Sequence, residues 1–283
     1  MSSAITVRPI EAAEVTDVAD FLHRNLNDRL TPRTWAAAME PSWTPTGAGC
    51  GMGLYDGEVL VGAYLAFTSR RLLGGTERSV TNLAAWCVLE AYRSHGLRLL
   101  RSLLRGADVV TDLSPSGSVV EIDERLGFTH LDTTSSLRPN MPGPTRTARC
   151  RVVTDPDGIA DLIEGLDAVR YEDHRRALAA RHLVLLVDGR PCYVMYRKVA
   201  RKRLPLFAAV LHVGDTALLR RGLGVLGAHL LREGMPFLLA EHRHVGGPLP
   251  GAVTVAGRPK LFRGEIAPDL VDDLYSELTC VPW

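Results

Sequence analysis

Cysteine is sparse in this 283-residue chain and odd in number: Cys50, Cys87, Cys150, Cys192 and Cys280 lie far apart. None forms a C-x-x-C pair, so neither a disulfide framework nor a thiol-rich zinc module organises the chain. An excess of one charge sign is also missing, with 33 Lys plus Arg against 32 Asp plus Glu and a net charge of +1. That balance supplies no electrostatic reason to expect nucleic acid or an anionic membrane as partner. No apolar run approaches the roughly 18 residues needed to span a bilayer. The opening MSSAITVRPIEAAEV lacks the basic, then apolar, then small-residue order of a secretion signal. A cytoplasmic protein without a bound metal, monomeric or homodimeric, is the expectation.

What is present is globular material: 46% apolar and 23% charged residues, enough for two domains of about 140 residues each. Ile5 to Pro9 reads as a strand. Ala12 to Leu26 and Leu30 to Trp43 read as helices, the second started by Thr31-Pro32 and stopped by Pro41. Trp35 and Trp43 serve there as core or as a ligand wall. Gly53 to Arg70 forms two strands around Asp56-Gly57, and Arg78 to Leu89 a third. Asp108 to Leu113 is a further strand, and Ser118 to Leu126 a helix closed by Gly127.

Leu137 to Thr147, LRPNMPGPTRT, holds three prolines and a glycine, and it is the clearest linker. Beyond it, helices are expected at Asp157 to Leu166 and Tyr171 to Ala180. A second hairpin then turns at Asp188-Gly189, followed by a strand from Leu206, a helix over Ala217 to Arg232 and a strand to Glu241. Superposing the two Asp-Gly hairpins aligns a third strand, a Leu-rich helix and another strand in each half, which reads as an internal duplication. Domains are therefore expected at 1–138 and 148–283, joined by 139–147. The C-terminal segment is expected to pack on the second. Glu241-His242-Arg243-His244 is rejected as a metal site because no third ligand follows at a recognisable spacing.

The chemistry concentrates in Asn82 to Leu104, NLAAWCVLEAYRSHGLRLLRSLL. An apolar strand gives way to Arg93-Ser94-His95-Gly96, and leucines then recur at helical spacing. A strand, a tight turn and a helix start in that order present backbone N–H groups at a positive helix end, where an anion can sit. Gly96, without a Cβ, allows close approach of the main chain.

This unit, with VLEAYRSHG and the later ERLGF, resembles the GNAT superfamily of acyl-CoA-dependent N-acyltransferases. The resemblance covers Ile5 to Leu137 by motif and the second half by element order. It implies an α+β fold of two GNAT-like domains, each a mixed central sheet flanked by helices and splayed between its fourth and fifth strands. Acyl-CoA would lie in that opening, with acetyl-CoA as cosubstrate and an amine of a small molecule or protein as acceptor.

In the R/Q-x-x-G-x-G/A pattern of the superfamily, Arg93 and Gly96 fit. Ser94, His95 and Leu97 complete the phosphate turn, and Arg98 stands where a small residue is usual. The main chain of Cys87, Val88 and Leu89 would meet the thioester and pantetheine, with an N–H near Val88 polarising the carbonyl. Ser116 takes the place of an asparagine, and Asp123 that of the tyrosine associated with the departing thiolate. Glu90 acts on the amine or is a solvated strand end. Tyr92 donates a proton or packs, and Asp123 and Glu121 serve near the sulfur or form a polar helix face.

The second half offers Val213-Gly214-Asp215-Thr216 instead of an R-x-x-G turn, so it reads as a degenerate copy. Two rival functions remain: transfer of a longer acyl chain from CoA or an acyl-carrier protein, and a non-catalytic ligand- or protein-binding module.

Overall fold

The computed structural model describes residues 4–45, 47–147, 149–201 and 204–283, and it forms two compact units. The first contains the chain up to Leu131 together with Pro259–Val271 and Tyr275–Trp283, and the second Asp132–Arg258 with Asp272–Leu274. None of the described helices is long and apolar enough to cross a membrane.

In the first unit β1 (Ile5–Pro9), α1 (Val15–Asn25) and α2 (Pro32–Met39) precede β2 (Gly51–Asp56), β3 (Val59–Leu73) and β4 (Thr76–Val88). Then come α3 (Gly96–Leu103), β5 (Val109–Asp112), α4 (Gly117–Arg125) and β6 (Thr129–His130). α1 turns Val15, Val18, Phe21 and Leu22 inward on one stripe. α2 starts where the Thr31 hydroxyl accepts the Thr34 N–H, with Pro32 in the first turn where its missing N–H costs nothing. Trp35 is fully buried and its indole N–H reaches the Asn27 carbonyl, so it belongs to the core.

The second unit runs β7 (Ser135–Pro139), β8 (Cys150–Val153), α5 (Pro156–Ala160), α6 (Gly165–His174), β9 (Ala180–Val187), β10 (Arg190–Arg201) and β11 (Leu204–Val213). α7 (Thr216–Arg232), β12 (Phe237–Glu241), α8 (His242–Val245) and β13 (Val253–Val255) complete it. Its hairpin turns through Asp188 and Gly189, both at positive φ, as an Asp-Gly turn of this kind requires. α6 ends earlier than the sequence suggests, because the strand after it begins at Ala180 rather than Leu183. The last elements, β14 (Leu261–Gly264) and α9 (Glu277–Cys280), return to the first unit.

The two sheets have one plan. The first is ordered β1-β2-β3-β4-β5-β14-β6 and the second, read in the same sense, β8-β9-β10-β11-β12-β7-β13. The β4/β5 and β11/β12 pairs are parallel and every other pair is antiparallel. In each sheet the sixth place is taken by a strand from the far end of the other half's sequence. Two expectations are corrected here. Leu137–Pro139, taken as the start of a linker, is strand, because β7 pairs with β12 and β13. Most of the C-terminal segment packs on the first unit rather than the second: Leu261 and Phe262 are buried there and β14 pairs with β5 and β6, while Asp272–Leu274 alone joins the second.

A polar brace holds β1 to the first sheet. The Arg8 guanidinium grips Glu14 through two bonds of 2.7 Å, Tyr55 donates to the same carboxylate at 2.9 Å, and Arg8 lies over the Tyr55 ring. The bonds from Arg8 hold the Glu14 carboxyl down at about 2. Its stabilisation is therefore present above the ordinary glutamate range and fades as pH falls through about 2. Glu14→Gln is expected to cost about 1 kcal/mol at pH 7. Urea titrations of both proteins should show that difference shrinking below pH 4.5, the unperturbed value.

Candidate active site

The first sheet opens at one end. β4 pairs with β5 only from Val80 opposite Val109 to Leu83 opposite Asp112, while β4 itself continues to Val88 against β3. Between Leu83 and Trp86 the strand advances three residues while β3 advances two, from Ala66 to Tyr64. The extra residue is a β-bulge at Ala84–Ala85, just where pairing with β5 stops, and such a bulge re-aims the strand beyond it.

The ladder fixes which main-chain groups face the opening. The Leu89 N–H donates to the Val61 carbonyl at 2.9 Å. Hydrogen-bonded and non-hydrogen-bonded positions alternate in an antiparallel pair. Leu89 and Cys87 therefore turn their polar groups to β3, and Val88 and Trp86 turn theirs to the opening. Of the three residues expected to offer main chain there, the Val88 N–H faces the opening and those of Cys87 and Leu89 face β3. The Cys87 thiol is pushed up by burial, which fits a small core residue better than a nucleophile.

After β4 the chain makes a 3-10 turn over Glu90–His95 and enters α3 at Gly96. No side chain caps the start of α3, and the Gly96 N–H is given to the Arg93 carbonyl of the turn before it. Gly96 is buried, and a Cβ there would meet Trp86 Cζ2 at 3.3 Å. Its missing side chain thus lets the helix approach an indole, which is a different reason from the expected approach to an anion. Arg98 donates to the Ile5 carbonyl at 3.1 Å and lies 3.4 Å from His95 Nδ1, so β1 engages it. Arg93 and Glu90 are exposed and 3.9 Å apart, a pair of little energetic weight. Tyr92 donates to Asp56 at 2.8 Å and pins the turn to the β2–β3 hairpin. Ser94, Leu97 and Ser116 are exposed, and the Ser116 side chain does not cap α4.

Behind the opening lies a buried polar cluster of which the sequence reading named only Asp123. Asp112 ends β5, Asp123 projects from α4, and both are buried. Neither Asp123 oxygen has a hydrogen-bond donor so long as both groups are counted as carboxylates. Asp112 is its neighbour in hydrogen-bonding reach, and two buried carboxyls so placed disfavour both being ionised. Burial is the main cause that raises both: Asp123 to about 6, and Asp112 well above the ordinary range with Glu277 and Asp123 adding to it. Tyr64, stacked on Trp86 at 4.7 Å, is pushed up by burial and then by these carboxylates.

On the other side of β5, Ser114 donates to Glu277 Oε1 at 2.6 Å, and its N–H reaches Asp112 Oδ1 at 3.3 Å. The Glu277 N–H is held by Asn82 Oδ1 at 3.1 Å, and Asn82 donates in turn to Thr111 Oγ1 at 3.0 Å. Asn82 and Asp112 were legible as polar residues inside apolar strands. Glu277 carried no such signal.

No family model matches the chain, and no curated protein sequence matches it. Solved structures do. A GCN5-related N-acetyltransferase from Anabaena variabilis superposes with a TM-score of 0.60 at 10% identity, over 92% of this chain and 72% of that one. A GCN5-related N-acetyltransferase from Kribbella flavida gives 0.57 at 16%, over 95% and 73%. The Saccharomyces cerevisiae N-myristoyltransferase with bound myristoyl-CoA gives 0.53 at 14%, over 99% and 87%. The chain has the GNAT fold.

Within that fold the two GNAT-like units are not equivalent. The second has a matching bulge on β11, with Leu211 as the extra residue, and a matching bond from the Gly214 N–H to the Tyr193 carbonyl. The turn is gone, however, because α7 begins at Thr216 directly after β11. Asp215 caps it by accepting the Leu218 N–H at 2.9 Å. That places a carboxylate where a GNAT turn would receive phosphate. Arg220 of α7 also donates to the carbonyls of Val245, Gly246, Gly247 and Pro248, lacing α7 to the loop beyond β12.

The structure also supplies the third ligand whose absence argued against metal at Glu241 and His244: their ligand atoms lie within 4.8 Å of one another and of Asp273. Arg243 binds both carboxylates, so its guanidinium compensates charge there, and His244 lies 3.1 Å from Asp273.

Proposed function

We propose that the first unit is an acyltransferase that moves an acetyl group from acetyl-CoA to an amine. The observation that carries this is the bulged end of β4, diverging from β5 with the Val88 N–H turned into the opening and an uncapped helix start beyond it. The turn Ser94–Leu97 would hold the diphosphate, with Arg93 beside it and Gly96 giving close approach rather than a donor, since its N–H goes to the Arg93 carbonyl. The Val88 N–H would donate to the thioester oxygen as that oxygen gains negative charge, a preorganised donor of the kind that lowers acyl-transfer barriers most.

The shared proton of Asp112 and Asp123 supplies the departing thiolate, in the place that a tyrosine holds in the superfamily pattern. A carboxyl pair raised by burial suits a donor near neutral pH. Tyr92 and Glu90 are given no such role, since Asp56 engages one and solvent surrounds the other. Ser116 and Arg98 remain at the rim.

Two of the similar structures are of N-acetyltransferases, and a third was solved with myristoyl-CoA bound, so acyl length is the open variable. Calorimetric titration with CoA, acetyl-CoA and myristoyl-CoA checks it. Acetyl-CoA binding at micromolar concentration, followed by thiol release with an amine panel, is the expected result. Tighter binding of myristoyl-CoA points to a long-chain donor, binding without turnover to a ligand-binding module, and no binding defeats the proposal.

A further inference from the structure

Acyl transfer to an amine needs a proton acceptor as well as the donor just assigned, and neither Glu90 nor Tyr92 is placed to supply it. We infer that Glu277, acting through the hydroxyl of Ser114, is the base that takes the proton of the acceptor amine. This rests on the acyl-transfer reading of the first unit.

Four observations converge on the pair. Ser114 follows β5 by two residues and is exposed, at the end of the sheet where β4 and β5 part. Its hydroxyl is committed to Glu277 Oε1 at 2.6 Å, the short distance of a charge-assisted bond to a carboxylate. Glu277 is fully buried and begins α9, whose first turn Ser276 caps by accepting the Leu278 N–H. Asn82, itself fixed by Thr111, holds the Glu277 main chain.

The faces also match what the reaction needs. Leu83, Leu99, Val110 and Leu261 share the core on the α3 side of the sheet. Side chains alternate along a strand. Asp112, two residues from Val110, therefore lies on the α3 side with Asp123, whereas Asn82, next to Leu83, carries Glu277 on the opposite face. Donor and acceptor of protons thus stand on opposite faces of one sheet end, where a thioester lying in the opening would present its sulfur to one and its carbonyl carbon to an amine on the other.

The step balances. The acceptor arrives as an ammonium and gives one proton to Ser114 Oγ as the Ser114 proton passes to Glu277 Oε1, which frees the nitrogen lone pair. The second nitrogen proton leaves to solvent once the C–N bond has formed. The nitrogen lone pair forms the C–N bond, the C–S bond breaks, and the sulfur takes the proton held by Asp112 and Asp123. Exchange with solvent resets both sides. Ser114 and Asn82 bond Glu277 directly, and Asp112, Tyr64 and Cys280 lie near enough to interact with it electrostatically.

Glu277→Gln, in which the amide oxygen still accepts from Ser114, is the decisive variant. Calorimetry with acetyl-CoA first shows whether each protein binds the donor, and thiol release with a panel of primary amines then gives kcat/KM. The expected result is unchanged acetyl-CoA affinity and melting temperature, with kcat/KM about a hundredfold lower for ordinary alkylamines. The loss should be much smaller for hydroxylamine, which is already unprotonated at neutral pH, and a merely structural role would not produce that selectivity. Ser114→Ala should behave likewise and Ser114→Thr should recover most of the rate. A Glu277→Gln enzyme as active as the parent, or equally impaired with hydroxylamine and alkylamines, overturns the assignment while leaving the acyl-transfer reading intact. A parent protein that binds no acetyl-CoA overturns both.

Discussion

Leu261→Asp is expected to unfold the first unit. Leu261 is fully buried against Leu99, Leu100, Leu103 and Phe128, and its strand closes the sheet between β5 and β6. Truncating such a leucine to alanine costs about 2–5 kcal/mol. A carboxylate adds the cost of an unpaired buried charge, so the total exceeds the roughly 5–15 kcal/mol margin of many domains or consumes most of it. Hydrogen exchange offers the check: amides of β5, β6 and the residues after Asn82 should lose protection, while those of β9 to β12 keep theirs. Because β14 belongs by sequence to the far end of the chain, full protection of β5 in this variant would show that the strand is dispensable and that the sheet closes without it.

Asp123→Asn is expected to stabilise the protein and disable it. Burial raises the Asp123 carboxyl from 3.8 to about 6, so the native state binds protons that the unfolded chain releases. Such a group contributes fully below its unfolded value, and its contribution disappears as pH rises through the native one. Between about pH 4 and pH 7 the parent therefore loses on the order of 2–3 kcal/mol that the amide does not. The asparagine can still donate to Asp112. Urea titrations from pH 4 to pH 8 should show the variant gaining on the parent throughout that window. Turnover should drop by about a hundredfold or more, as the sulfur loses its proton source. A variant no more stable at pH 8 than at pH 4, relative to the parent, would show that Asp112 and Asp123 do not share a proton.

The central unit was legible because its signals are local. A β-branched apolar strand, a turn carrying Gly96 and a leucine stripe each depend on residues a few positions apart. Which of Cys87, Val88 and Leu89 turns its polar groups to the opening was not legible, since that direction depends on the strand's hydrogen-bonding phase with β3, and a one-residue change of phase reverses it. For Gly96 the structure adds a neighbour that no local pattern shows, Trp86, which the bulge and the start of α3 bring against it.

By itself the sequence determined the α+β class, the duplicated order of elements and the central strand, turn and helix, because hydrophobic period and Asp-Gly turns act over a few residues. Only the tertiary structure decided that β7 and β14 serve the other half's sheet, that α7 runs on where a phosphate turn would be, and that Glu277 meets Ser114. Each of these joins residues between which the chain carries no local correlation. Edge pairing and the burial of carboxylates are selected by the whole sheet, whose unsatisfied strand edges and apolar faces must be covered by whichever segment reaches them.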